Sequence, residues 1–285
     1  MIPSYLTICE ILDCLKSLYD TDKRSKSQAL AIYLFWLKTG LPHRLIACHF
    51  EVVDHFDVNR ILKQVRKALT NDFVCFNLGV DHKERGEWLN NNTKISEELF
   101  SNKSDQLILV CDGTYAKVQR SSNNKFQRET YSCHKKYHLV KPFVVTCTNG
   151  YIVDIYNLSK ATKNDASILK EVIHQDLGEL INQDDIFLLD RGFKDVVDEL
   201  KDEFHIIVKI PAFKDKDKKQ LSSEEANFSR LVTKCRYVVE VTNSFVKNSF
   251  RALEGLNNRS LDHILDDYRI PAALINRYFK RLYSD

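Results

Sequence analysis

The sequence predicts an α/β domain, a mixed sheet flanked by helices, preceded by an all-helical amino-terminal region. Two observations carry this. The hydrophobic period changes along the chain: residues 29–69 repeat apolar side chains at helical spacing, whereas 107–110, 137–147, 151–156, 186–189 and 205–210 are short apolar runs bounded by turn residues. Those runs alternate with helical stretches at 166–180, 195–200 and 226–253, the order of strands and helices layered on one sheet. With 285 residues and 44% hydrophobic content, the chain can bury a core of that size.

The amino-terminal elements follow from local signals. Residues 4–19 read as an amphipathic helix, and 20–27 as a polar loop. The apolar stretch 29–38 is a helix that Gly40 stops. Pro42 opens a short helix over 43–50. Asp57 caps a third helix running to about residue 69. One face of that helix carries Val58, Ile61, Leu62, Val65 and Leu69; the other carries Arg60, Lys63, Arg66 and Lys67. Three short helices with a glycine turn and a basic last helix form a helix-turn-helix pattern, whose last helix suits a DNA major groove. A plain helical subdomain with a solvated basic face is the other reading. The implied division is a helical DNA-binding region over 1–80, a polar connector over 81–105 and the α/β domain over 106–285.

The first strand, 107–110, runs into Asp112-Gly113-Thr114-Tyr115. Thr148-Asn149-Gly150 joins strands 137–147 and 151–156 as a hairpin. Asp165 is the candidate cap of helix 166–180. The strand 186–189 runs into Asp190-Arg191-Gly192-Phe193, Pro211 stops the strand 205–210, and a charged loop over 214–225 leads to the long last helix, which carries Glu240. Two acids at strand ends and one on a helix face can meet at one point. Clustered carboxylates bind hard divalent cations through oxygen, and two-cation sites of this kind cleave phosphodiesters. Taken singly, each acid reads as a cap or a solvated carboxylate.

Charge and cysteine usage narrow the classes. The net charge is only +3, but residues 23–67 hold nine Lys/Arg against three acids, a local field that attracts phosphate. The eight cysteines contain no C-x-x-C and are irregularly spaced, so reduced thiols are expected. Cys133, His134 and His138 lack a second ligand pair at zinc-finger spacing. No secretory leader and no apolar run near the roughly 18 residues that span a bilayer is visible, so an intracellular protein without membrane partners is expected.

Six segments in order resemble the DDE transposases of the PIF/Harbinger type, the DDE superfamily endonucleases. They are Asp112-Gly113-Thr114-Tyr115, residues 126–136 with Ser132-Cys133-His134-Lys135-Lys136, Asn149-Gly150-Tyr151-Ile152, Asn164-Asp165-Ala166-Ser167-Ile168-Leu169, Leu189-Asp190-Arg191-Gly192-Phe193 and residues 236–243 with Glu240. The resemblance spans about 29–278 and implies an RNase H-like fold. It further implies a catalytic and metal-binding triad of Asp112, Asp190 and Glu240, with Mg²⁺ or Mn²⁺ as cofactor and DNA as substrate. Arg60, Lys63, Arg66 and Lys67, with Lys135 and Lys136, are the candidate DNA contacts. Asp165, read as a cap, stands outside the triad. A separate DNA-binding partner protein, self-association into a homo-oligomer and a nuclear location come with the family. The alternative is a domesticated, catalytically inactive DNA-binding or interaction module on the same fold.

Overall fold

The computed structural model describes residues 5–214 and 220–282; part of the charged loop expected over 214–225, and the start of the first expected helix, lie outside them. The amino-terminal region is helical: α1, Tyr5–Cys14; α2, Lys26–Thr39; α3, His43–His49; and α4, His55–Asp72. Ser25 caps α2 through its side chain, and Gly40 ends it at φ 64, its N–H donating to the Trp36 carbonyl. A Cβ at Gly40 would lie 2.9 Å from the Arg251 carbonyl oxygen, so this turn needs glycine for its φ and for the close approach. Asp54, not Asp57, caps α4, and Asp57 instead pairs with Arg60 at 2.9 Å. Two acids three residues apart offer the same local signal, and the apolar stripe begins near both.

The segment expected as a polar connector is structured. It holds α5, Arg85–Leu89, with a Glu84–Glu87 capping box, and α6, Lys94–Phe100. Trp88 is fully buried there. The sheet then starts with β1, Ile108–Gly113, and β2, Ala116–Lys117. Next come α7, Asn124–Thr130; β3, Tyr131–Ser132; β4, Tyr137–Cys147; and β5, Ile152–Lys160. Then follow α8, Asp165–Val172; a π turn, Ile173–Leu177; α9, Gly178–Leu180; and β6, Ile186–Leu188. The chain finishes with α10, Val197–Asp202; β7, Ile207–Lys209; α11, Ser223–Ser249; and α12, Ile264–Tyr278.

β4 lies antiparallel between β5 and β1, and β6 and β7 continue parallel to β1. This gives the order β5-β4-β1-β6-β7, with β2 and β3 paired to β4. A sheet of this order, with α8 and α10 on one face and α11 on the other, is RNase H-like.

Alternation along β1 divides the core into two layers. Leu107, Leu109 and Cys111 pack with Leu169, Phe193 and Leu200 on one face. Ile108 and Val110 face the other way and pack in one cluster with Val239 of α11, Tyr268 of α12, and Leu30, Leu62 and Val65 of the amino-terminal helices. The helices of region 1–80 therefore share a core with the last two helices. Among the described residues, no helix is long and apolar enough to cross a membrane. All eight cysteines are free.

Candidate functional site

β1 and β6 pair in the register Ile108↔Ile186 to Val110↔Leu188. The same offset carried two residues further matches Asp112 with Asp190, which lies past the last pair and is near enough to act on the Asp112 carboxyl. The sequence separation of the two acids equals the offset of that register. Asp112 still pairs with Val144 of β4 and lies on the Val110 face of β1, the face that α11 covers. Asp190 lies just past β6 and caps a 3₁₀ turn, Oδ1 accepting from the Gly192 N–H at 2.6 Å.

α11 brings four polar side chains over this end of the sheet, at helical spacing: Arg236, Glu240, Asn243 and Lys247. Arg236 Nη2 donates to Glu240 Oε1 at 2.6 Å. Asn243 Nδ2 donates to Asp112 Oδ2 at 3.3 Å. Lys247 Nζ donates to Thr114 Oγ1 at 2.6 Å and to the Tyr115 carbonyl at 2.8 Å, which ties α11 to the turn after Asp112. Sequence reading placed Asn243 at the end of the third motif without giving it a role, and it did not reach Lys247. Their spacing of three and seven residues from Glu240 was the available signal.

A fourth carboxylate joins the group. Asn164 caps α8, its side chain accepting from the Ser167 N–H, so Asp165 is the first helical residue and not the cap it was expected to be. Its Oδ1 accepts from Lys141 Nζ at 3.2 Å and would lie 2.6 Å from a Cβ at Gly113. Glycine at 113 thus lets Asp165 reach β1. Gly113→Ala is expected to push Asp165 off Lys141 and cost about 1–2 kcal/mol in urea unfolding. Unchanged stability would mean that Asp165 gives way freely.

These neighbours set the electrostatics. Burial pushes the Asp112 carboxyl up to about 7; Arg236 opposes this, while Asp165, Asp190 and Glu240 add to it. Burial holds Lys247 down to about 8 against the pull of Asp112. Tyr115 is raised by burial and then by Asp165, Asp112 and Asp190. The acids therefore share one field. They are not drawn into a tight cluster: among the described residues, the group of metal-ligand side chains with atoms all within 4.8 Å is His174, Glu199 and Glu203, at the π turn and α10.

The candidate DNA contacts divide. Arg60, Lys63 and Lys67 are exposed on α4. Arg66 is not: it is 6% exposed, and its Nε donates to Asp267 Oδ1 at 2.6 Å. It leaves the basic face to hold α4 against α12. Lys135 and Lys136 lie in the turn between β3 and β4, with Lys136 at φ 59 and Lys135 Nζ 5.2 Å from the centre of the Tyr115 ring. Lys135 is thus close to the turn that follows Asp112.

Neither a curated protein nor a solved structure matches the chain. The family described as DDE superfamily endonuclease matches residues 111–276, more than half the chain, from the end of β1 into α12. Asp112, Asp190, Glu240 and the α11 stripe all fall inside the match, and the chain belongs to the DDE superfamily endonuclease family.

Proposed function

We propose that this chain is a transposase-derived DNA endonuclease and strand transferase of the PIF/Harbinger type, with Asp112, Asp190 and Glu240 as its metal-binding acids. The observation that supports this reading is the β1–β6 register, whose offset, continued past Val110↔Leu188, would bring Asp112 and Asp190 to neighbouring strand ends beneath the helix that bears Glu240. The donor set fits the cation the family uses: oxygen-only carboxylates suit Mg²⁺ or Mn²⁺. Held there, two such cations supply an activated water or 3′-hydroxyl and a stabilised leaving oxygen at phosphorus. Asp112 and Asp190 offer fixed oxygen donors at adjacent strand ends. Lys247 and Asn243 keep α11, and with it Glu240, in position over them. Lys135, beside Tyr115, is set to meet a backbone phosphate of the bound strand.

Arg60, Lys63 and Lys67 form the proposed duplex-binding face. Each phosphate contact adds about one unit to the salt slope of binding. Replacing all three by Gln in the full chain is expected to weaken duplex binding without metal and to flatten log K against log salt by up to about three units. An unchanged slope would make the face merely solvated. Work in the nucleus, with a separate DNA-binding protein and as a homo-oligomer, belongs to the same proposal.

One contact favours the inactive-module reading. Arg236 already pairs with Glu240 and acts on Asp112, so the acids have a built-in cation. Isothermal titration with Mn²⁺ separates the readings. Binding that is lost in Asp190→Asn supports the enzyme, and no binding at millimolar Mn²⁺ supports the module.

A further inference from the structure

A second cluster of charge lies at the other end of the sheet. Asp112 pairs with Val144, whereas the β4–β5 hairpin begins at Cys147, opposite Leu109. Tyr151 closes the turn of that hairpin, its carbonyl accepting from the Cys147 N–H. Lys83 Nζ sits 4.0 Å from the centre of its ring, and the Arg281 guanidinium carbon sits 4.3 Å from it. The two positive centres are thus no further apart than the sum of those distances.

The ring is held in place. Its hydroxyl is 2.7 Å from His82 Nε2, and Trp88 meets it edge-on. Arg281 is held too: Nη2 donates to the Asn276 carbonyl at 2.7 Å, and the next residue, Leu282, packs so closely on the hairpin that a Cβ at Gly150 would lie 2.9 Å from it.

Neither cation has a carboxylate counterion among the described residues. Burial and then the charge of Arg281 hold Lys83 below the ordinary lysine range, and burial lowers Arg281. Glu87 is the carboxylate that acts on Lys83, and weakly; it accepts from the Glu84 N–H in the α5 capping box. Two like charges share one ring, partly out of water. A phosphate accepting from each cation on a separate oxygen, through N⁺–H···O⁻ bonds of about 2.8 Å, would turn that repulsion into attraction.

We propose that Lys83 and Arg281, set over Tyr151, form a seat for a phosphate oxyanion at the end of the sheet away from Asp112. The seat does not depend on the acidic site or on metal. Titration of the full chain with sodium phosphate in EDTA, against sodium chloride at matched ionic strength, is expected to show saturable, millimolar binding. The Lys83→Gln/Arg281→Gln double variant is expected to bind about tenfold more weakly or worse, while Lys83→Arg, which keeps the charge, binds like the parent chain. Circular dichroism checks the fold; if the double variant does not fold, Arg281→Gln alone is read in its place.

No saturable binding by the parent chain, or equal binding by the charge-removed variant, overturns the seat. Mixed-sequence duplex DNA then identifies the source of the phosphate. A salt slope about two units shallower in the double variant supports the DNA backbone as occupant. An unchanged slope, with phosphate binding lost, supports free phosphate or a small phosphorylated ligand.

Discussion

Asp112→Asn is expected to abolish Mn²⁺- or Mg²⁺-dependent nicking of plasmid DNA, by roughly 10³-fold or more, and to make the metal-free protein more stable. The substitution keeps the shape of the side chain and removes the charge that a hard cation needs. The stability effect has the opposite sign because the native protein raises this carboxyl from 3.8 to about 7. The folded state then binds more protons than the unfolded state between those values, so this group's contribution to stability is fully present below about pH 4. It is lost as pH rises through about 7. At pH 8 the ionised carboxylate costs up to about 4 kcal/mol, from roughly three pKa units at 1.36 kcal/mol each. Urea unfolding in EDTA at pH 5 and pH 8 checks it. Across that interval the parent chain should lose about 2–3 kcal/mol more than the Asn variant, from the roughly two pKa units that lie above pH 5. An Asn variant that is less stable at pH 8 and nicks as well as the parent would contradict both halves.

Arg66→Ala is expected to cost about 3–5 kcal/mol, the usual penalty for stranding one partner of a buried ion pair. Arg66 makes two bonds to Asp267, Nε to Oδ1 at 2.6 Å and Nη2 to Oδ2 at 3.1 Å, and Tyr33 donates to the same carboxylate at 3.3 Å. Its guanidinium also lies 5.9 Å and 5.5 Å from the ring centres of Tyr33 and Trp36. Burial pushes Asp267 up to about 6 despite Arg66, so the variant leaves a carboxylate that water cannot reach. The double change Arg66→Met/Asp267→Leu should recover most of the loss, since a packed apolar pair avoids the desolvation of both charges. Equilibrium unfolding should remain a single transition, because α4 and α12 belong to one core. A variant as stable as the parent would mean that Arg66 faces water after all.

The sheet and its two strand-end acids were legible because buried strands write themselves as unbroken apolar runs, and the residue that ends each run is the one delivered to the sheet edge. The 78-residue spacing of Asp112 and Asp190 could not be recognised as a register without knowing that β1 and β6 are neighbours. Arg66 was misread because a basic residue at the margin of an amphipathic helix looks the same whether it meets water or a carboxylate 201 residues later. Asp165 was misread because Asn164 beside it caps equally well, and only the close approach at Gly113 shows where Asp165 goes. Residues 81–105 read as polar connector because Trp88 and Phe100 are spaced apolar anchors among many polar and charged residues. The burial of Trp88 depends on Val80 and Tyr151, the latter far along the chain.

Crystals grown with Mn²⁺ and measured at the manganese absorption edge test the metal-centre assignment most directly. An anomalous peak within coordination distance of the Asp112 and Asp190 carboxylates, absent in Asp112→Asn, is the expected result. No peak there, or a peak confined to His174, Glu199 and Glu203, would contradict the assignment of the triad.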